Sequence, residues 1–189
     1  MKFLITCATL GIALLHCSCS AVLTKTHIAD RTEDLLQDKL QGIWQHEDGV
    51  FQIEFDEAGT GWGAAIEWED DAFELSQARL QAKQFGESFL MTAEPVTTDP
   101  DDNPEGHFLV RFAVLDSGEL QFFPADLKAF EKMVGDGKIP GRVNKGKYST
   151  VILLDDIAGS VDKVGALEKA FPGTEETIYL RRLPAFEAP

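Results

Sequence analysis

Cysteine is scarce in this chain and absent from the part that could fold around it. The three cysteines, Cys7, Cys17 and Cys19, all lie at the extreme N-terminus. A body without thiols has no disulfide framework, no thiolate nucleophile and no zinc–thiolate site. At 189 residues it can bury a core without such staples. Basic residues are also few, 17 against 32 acidic ones, for a net charge of −15. That balance excludes nucleic-acid binding and direct adsorption to an anionic membrane surface. It fits a solvated acidic surface, with a basic partner or a loosely held cation as the lesser reading. No H-x-x-x-H spacing exists, and His46 and His107 are the histidines expected in the folded body, so no histidine-rich metal site is expected. No G-x-S-x-G elbow occurs. The carboxylate pairs Asp70/Asp71 and Asp155/Asp156 are neighbours in sequence, which in a strand sends them to opposite faces. A non-enzymatic protein without metal or cofactor is therefore expected.

What is present begins with a leader. Met1-Lys2 gives a positive start, and Phe3 to Leu15 is apolar apart from Thr6, Thr9 and Gly11. That length suits the apolar region of an export signal and is too short for a membrane span. His16-Cys17-Ser18-Cys19-Ser20-Ala21 follows and resembles the lipobox of bacterial lipoproteins, in which a small residue precedes the lipidated cysteine. Ser18 before Cys19 matches that pattern, whereas His16 stands where it has a branched aliphatic. Cys17, preceded by His16, is the alternative, and ordinary cleavage after Ala21 is the rival. The resemblance implies residues 1–18 as signal, Cys19 as lipid attachment point, and a cell-envelope location facing the periplasm or exterior. The rival implies a soluble secreted form. Loss of the leader removes only Lys2 among charged groups and takes the body to about −16.

Residues 19–29 are small and polar without period and are expected to be a tether. A short helix is predicted from Asp30, with Glu33 in the reciprocal capping position and Leu35, Leu36 and Leu40 on one face. From Val50 the period becomes two. Phe51, Ile53 and Phe55 share a face. So do Ala64, Ile66 and Trp68 on the next strand, then Phe73 and Leu75, later Ala78, Leu80 and Ala82, then Phe89 and Met91. The Asp- and Pro-rich stretch 97–106 is a long loop. His107 to Leu115 is a strong strand, with Phe108, Val110, Phe112 and Val114 on one side, and Asp116-Ser117-Gly118 turns it into a strand ending at Phe123. A helix is expected over Pro124–Gly135 and a second over about Ser160–Ala170. Tyr148–Leu154 and Thr177–Leu183 read as strands, and 185–189 as a loose tail. These elements form one mainly β domain, 30–184. Its antiparallel meander closes into a barrel with short helices packed on it, or remains an open curved sheet.

Leu40-Gln41-Gly42-Ile43-Trp44 resembles the opening G-x-W of the lipocalin-like (calycin) barrels. In that family a short helix precedes the motif, the tryptophan plugs the closed end of the barrel, and a late-strand arginine covers its ring. The resemblance implies those roles for Gly42 and Trp44, with Arg181 or Arg182 as the cover, and it implies an interior that can take a small apolar ligand or act as a scaffold. The Pro124–Gly135 helix, placed before the final strands, departs from the family order.

Two stretches imitate chemistry. Gly141 to Lys147 nearly spells a phosphate-binding loop, but Tyr148 stands where Ser or Thr must hold magnesium, and a strand follows where a helix must open. Lys138, Arg142, Lys145 and Lys147 are nevertheless the strongest concentration of positive charge in the chain, and this basic 138–147 loop is the alternative functional surface, for a protein partner or as an inhibitor module. Asp99 to Gly106 is dense in oxygen donors. Pro104 and Val110 occupy the positions where a calcium-binding loop needs its glycine and its bidentate glutamate.

Overall fold

The computed structural model describes residues 20–47, 49–69, 72–96, 105–146, 149–155, 157, 167–173 and 177–184. Cys17, Cys19 and Lys147, most of the 97–106 loop, most of the expected Ser160–Ala170 helix and the 185–189 tail lie outside them.

Among the described residues, eleven strands form one sheet. They are β1 (Ser20–Thr24), β2 (Gly42–His46), β3 (Gly49–Phe55), β4 (Gly61–Glu69), β5 (Ala72–Phe85), β6 (Ser88–Pro95), β7 (His107–Val114), β8 (Leu120–Phe123), β9 (Gly141–Lys145), β10 (Thr150–Leu154) and β11 (Ile178–Arg182). The helices are α1 (Asp34–Leu40) and α2 (Leu127–Gly135). Strands β2 to β8 follow one another antiparallel, and β11 pairs with both β8 and β2, so eight strands close into a barrel. Closure is what a meander of this length needs to remove its edges.

Inside the barrel, Leu80, Met91, Val110, Phe112, Leu120, Phe122 and Leu180 pack with Trp44 and Ile53. Helix α1 seals one end with Leu36 and Leu40. The helix is shorter than predicted. It starts at Asp34, and Glu33 at its N-cap makes no side-chain cap. The faces of β4 and of the first half of β5 are also opposite to the expectation. Gly63, Ala65 and Glu67 point inward, while Ile66, Trp68, Phe73 and Leu75 are exposed. Small inward residues there leave room at the barrel mouth, so the bulky ones face out.

Residues 20–24 are not a tether. They form β1, held between β10 (parallel) and the start of β7 (antiparallel), with Val22, Leu23 and Thr24 buried. The Thr150 N–H donates to Ser20 Oγ at 2.9 Å. Strands β1, β10 and β9 make a side layer, completed by α2 and by Leu167, Ala170 and Phe171. Its second core covers the outer faces of Phe85, Leu90 and Leu109 on the barrel wall. Helix α2 begins at Leu127, three residues later than expected. Asp126 rather than Pro124 sets its start, by accepting hydrogen bonds from the Lys128 and Ala129 N–H groups.

Between β1 and α1 the chain crosses the outside of β5 and β6. It does so where β5 has run past β4, whose pairing stops at Gly61–Leu80. The Ala82 N–H, left without a strand on that side, donates to Thr32 Oγ1 at 3.0 Å.

Candidate functional site

The closed end is built around Trp44. Its Nε1 donates to the Leu40 carbonyl at 2.8 Å, tying the indole to the last residue of α1. Arg182 on β11 lies over the indole with Cζ 5.3 Å from the ring centroid, and its guanidinium donates to the Gln41 carbonyl. Arg181 points the other way, to Gln45 Oε1 at 3.2 Å. Gly42 has φ +142°, and a Cβ there would stand 2.9 Å from Arg182 Nε. The glycine thus makes room for the arginine that covers the tryptophan two residues on.

The open end is different in kind. The end of β2 with the start of β3, the end of β4 with the start of β5, and the start of β7 lie at this end. Gly49, Gly63, Ala65, Ala78 and Ala93 line this half of the interior, with Phe51, Leu80 and Met91 deeper. They enclose a cavity of about 60 Å³ with almost wholly apolar walls. At roughly 10–15 Å³ for each water centre, that holds about four waters or a short alkyl segment without rearrangement. Its polar lining includes His46, Glu67, Ser76 and Gln77. Glu67 and Ser76 are buried, and Ser76 Oγ has no hydrogen-bond partner among the described residues. An unpartnered hydroxyl beside the few other polar groups of a mainly apolar chamber is a fixed point for the polar end of a small ligand.

Outside the mouth, the β4–β5 hairpin carries a contiguous apolar stripe. Ile66 faces Leu75 and Trp68 faces Phe73 across the strands, the last two rings meeting edge-on at 4.7 Å. All four are at least 49% exposed, and they are neighbours in register rather than scattered.

No protein-family profile, no curated protein and no solved structure matches this chain.

The basic 138–147 stretch is a strand rather than a glycine-rich loop over Gly141–Lys145, pairing antiparallel with β10 and ending the sheet among the described residues. Its cations meet acids from elsewhere in the chain. Arg142 pairs with Glu105 and Lys145 with Glu131, while Lys138 Nζ lies 3.4 Å from Asp136. These pairs neutralise much of the positive charge that sequence alone concentrates there. Charged side chains on an outermost strand also discourage a further strand from adding.

One group of residues escapes a sequence reading. His27, placed in the expected tether, stacks on His107 with ring centroids 4.0 Å apart and planes 21° from parallel. Glu94 on β6 stands beside both rings. The available signal was weak. It lay in the apolar Val22-Leu23, which makes β1 a strand and carries His27 back onto the barrel wall.

Proposed function

We propose that this protein is an exported lipoprotein of the cell envelope, attached to the membrane through Cys19, whose lipocalin-like barrel binds a small, mainly apolar ligand by its open end. The observation that carries the ligand half is the apolar cavity with the unpartnered Ser76 hydroxyl in its wall. The exposed Trp68–Phe73 stripe supports it by giving an apolar molecule a first contact beside the mouth. The small volume argues for a short or slender ligand, or for a longer chain whose end alone is lodged. Gly42, Trp44 and Arg182 act structurally in this reading, as the plug of the closed end.

The choice of Cys19 draws support from β1. Cleavage after Ala21 would remove Ser20 and Ala21, which pair with Thr150 and Val151. Cleavage before Cys19 keeps the whole strand and places the lipid at its edge.

The test of the ligand half is calorimetric titration with straight-chain alcohols and acids of increasing length, repeated on Ala78→Phe, which fills the chamber. Saturable binding that Ala78→Phe abolishes is expected. Absence of binding across the series sinks the ligand reading. The mass of the mature N-terminus from the native host tests the anchor independently.

A further inference from the structure

The outer wall of the barrel carries a second arrangement, separate from the mouth. His27 comes from the segment between β1 and α1, Glu94 from β6 and His107 from the first position of β7. One ligand atom from each lies within 4.8 Å of the other two. Glu94 and His107 stand next to the Ala93–Phe108 pair of the β6–β7 ladder, and His27 follows three residues after Thr24, the β1 partner of His107. We propose that His27, Glu94 and His107 form a binding site for a zinc-class divalent metal ion, which clamps the β1–α1 segment to the barrel wall.

Hydrogen bonding prepares the first ligand. His27 Nδ1 lies 2.9 Å from Thr92 Oγ1. That hydroxyl also accepts from the Ile28 N–H at 3.3 Å and donates to the Gln81 carbonyl at 3.4 Å. With its proton given to Gln81, the hydroxyl can receive the proton on His27 Nδ1. Nε2 faces Glu94 Oε2 at 3.7 Å, where it donates to the carboxylate when it carries the proton and, when Nδ1 carries it, leaves a lone pair and a carboxylate oxygen for a cation to bridge. Holding a ligating imidazole through its other nitrogen is how metal sites fix ring orientation and tautomer.

The second ligand supplies an independent sign. His107 Nδ1 is buried and has no hydrogen-bond partner among the described residues. A buried ring nitrogen is rarely left in that condition. Both rings are biased to the neutral, metal-ready form. Burial lowers the pKa of each below the ordinary histidine value, and for His27 the neighbouring His107 adds to the effect. Glu94 opposes this for both rings, and Arg79, with Nη1 3.9 Å from Glu94 Oε2, is the nearby fixed cation.

Two imidazoles and a carboxylate are a zinc donor set, with a fourth position left for water. Metal–ligand bonds of about 2.0–2.2 Å in a tetrahedron place donor atoms roughly 3.3–3.6 Å apart. Contraction from the present spacing needs the stacked rings to tilt apart, because an ion bound by both must lie in the plane of each. Glu94 is one-third exposed and can swing. An oxygen-seeking ion such as calcium would instead need more carboxylates and carbonyls than stand here.

The experiment is a titration of the chelator-stripped, exported form of the protein with zinc chloride against a competing indicator dye. It is run on wild type, Glu94→Gln, His107→Gln and Thr92→Val. The expected result is saturation at a single equivalent, weakened roughly tenfold or more by each ligand variant and measurably by Thr92→Val. Zinc should also slow hydrogen exchange of amides in 25–33, and cobalt in its place should give visible bands of a four-coordinate site that Glu94→Gln removes. Circular dichroism verifies the fold, and if His107→Gln unfolds, Glu94→Gln decides. No saturable binding, or equal affinity in wild type and Glu94→Gln, overturns the proposal. So does a preference for calcium over zinc. Alcohol and acid binding at the mouth is scored separately, so either site can fail without the other.

Discussion

Replacing Gly42 with alanine isolates the device that closes the barrel. The backbone there, at φ +142°, is one that L-residues rarely adopt, and the new methyl would stand 2.9 Å from Arg182 Nε. Holding a non-glycine residue in such a conformation costs of order 1–3 kcal/mol. Displacing the guanidinium from Trp44 forfeits a cation–π contact worth about 0.5–1 kcal/mol at an exposed site. The expected loss is therefore roughly 2–4 kcal/mol, a large part of the stability of a single domain. Urea unfolding followed by tryptophan emission measures it, since Trp44 is buried while Trp62 and Trp68 are about half exposed. The decisive control is Arg182→Ala alone and combined with Gly42→Ala. If glycine is required because the arginine needs its space, the second change should lessen the harm of the first, with a coupling of about 1 kcal/mol. Equal cost for Gly42→Ala with and without Arg182 refutes that reasoning and leaves backbone strain as the whole effect.

Ser76→Ala should leave the unliganded protein as stable or about 1 kcal/mol more stable in urea, because it removes a buried hydroxyl that lacks a partner. The same change should weaken binding of straight-chain alcohols by calorimetry. Phe130→Ala, at a side chain with no exposed surface between α2 and the side layer, should cost about 3–5 kcal/mol in the same denaturation assay. Arg142→Ala and Lys145→Ala each remove an exposed ion pair and should change stability by less than about 1 kcal/mol. Acid should destabilise the metal-free protein through His27 and His107. Their folded pKa values lie below the unfolded value of 6.5, so the unfolded chain takes up protons first. This contribution is complete above pH 6.5 and is lost as pH falls toward the folded pKa values. Urea midpoints between pH 5 and 7.5 test it, and His107→Gln should flatten the slope.

Much of the barrel is legible because alternation survives wherever one face is buried and the other wet. Strands β3, β6, β7 and β8 show it plainly, and their turns carry the glycine and aspartate that turns require. The first half of β5 and all of β4 mislead for the same reason. The mouth wants small inward residues, so Ala65 and Gly63 face in, and the large side chains that usually reveal a core, Trp68 and Phe73, mark the outside. Strand β1 is barely visible locally. Its five residues offer only the apolar Val22-Leu23, and their strand character comes from β10 and β7, distant in sequence. Losing β1 also hid His27, and with it the cluster on the wall. The basic stretch shows the converse, a charge pattern that the fold redistributes. Charges that look concentrated in sequence meet Glu105 and Glu131 once β9 is laid beside β10. By contrast Gly42 and Trp44 come from the G-x-W resemblance, which left the covering arginine open between Arg181 and Arg182; it is Arg182 that lies over the ring.

The pairing of Ser20 with Thr150 spans 130 residues of chain. The first described strand to emerge during synthesis must therefore wait for one of the latest before this parallel pair can form. Until then Val22 and Leu23 have no place to hide, and the side layer stays open. Contacts so long separated make the side layer slow to mature. Order of manufacture and order of assembly run opposite ways here, so completion is postponed until nearly everything has arrived.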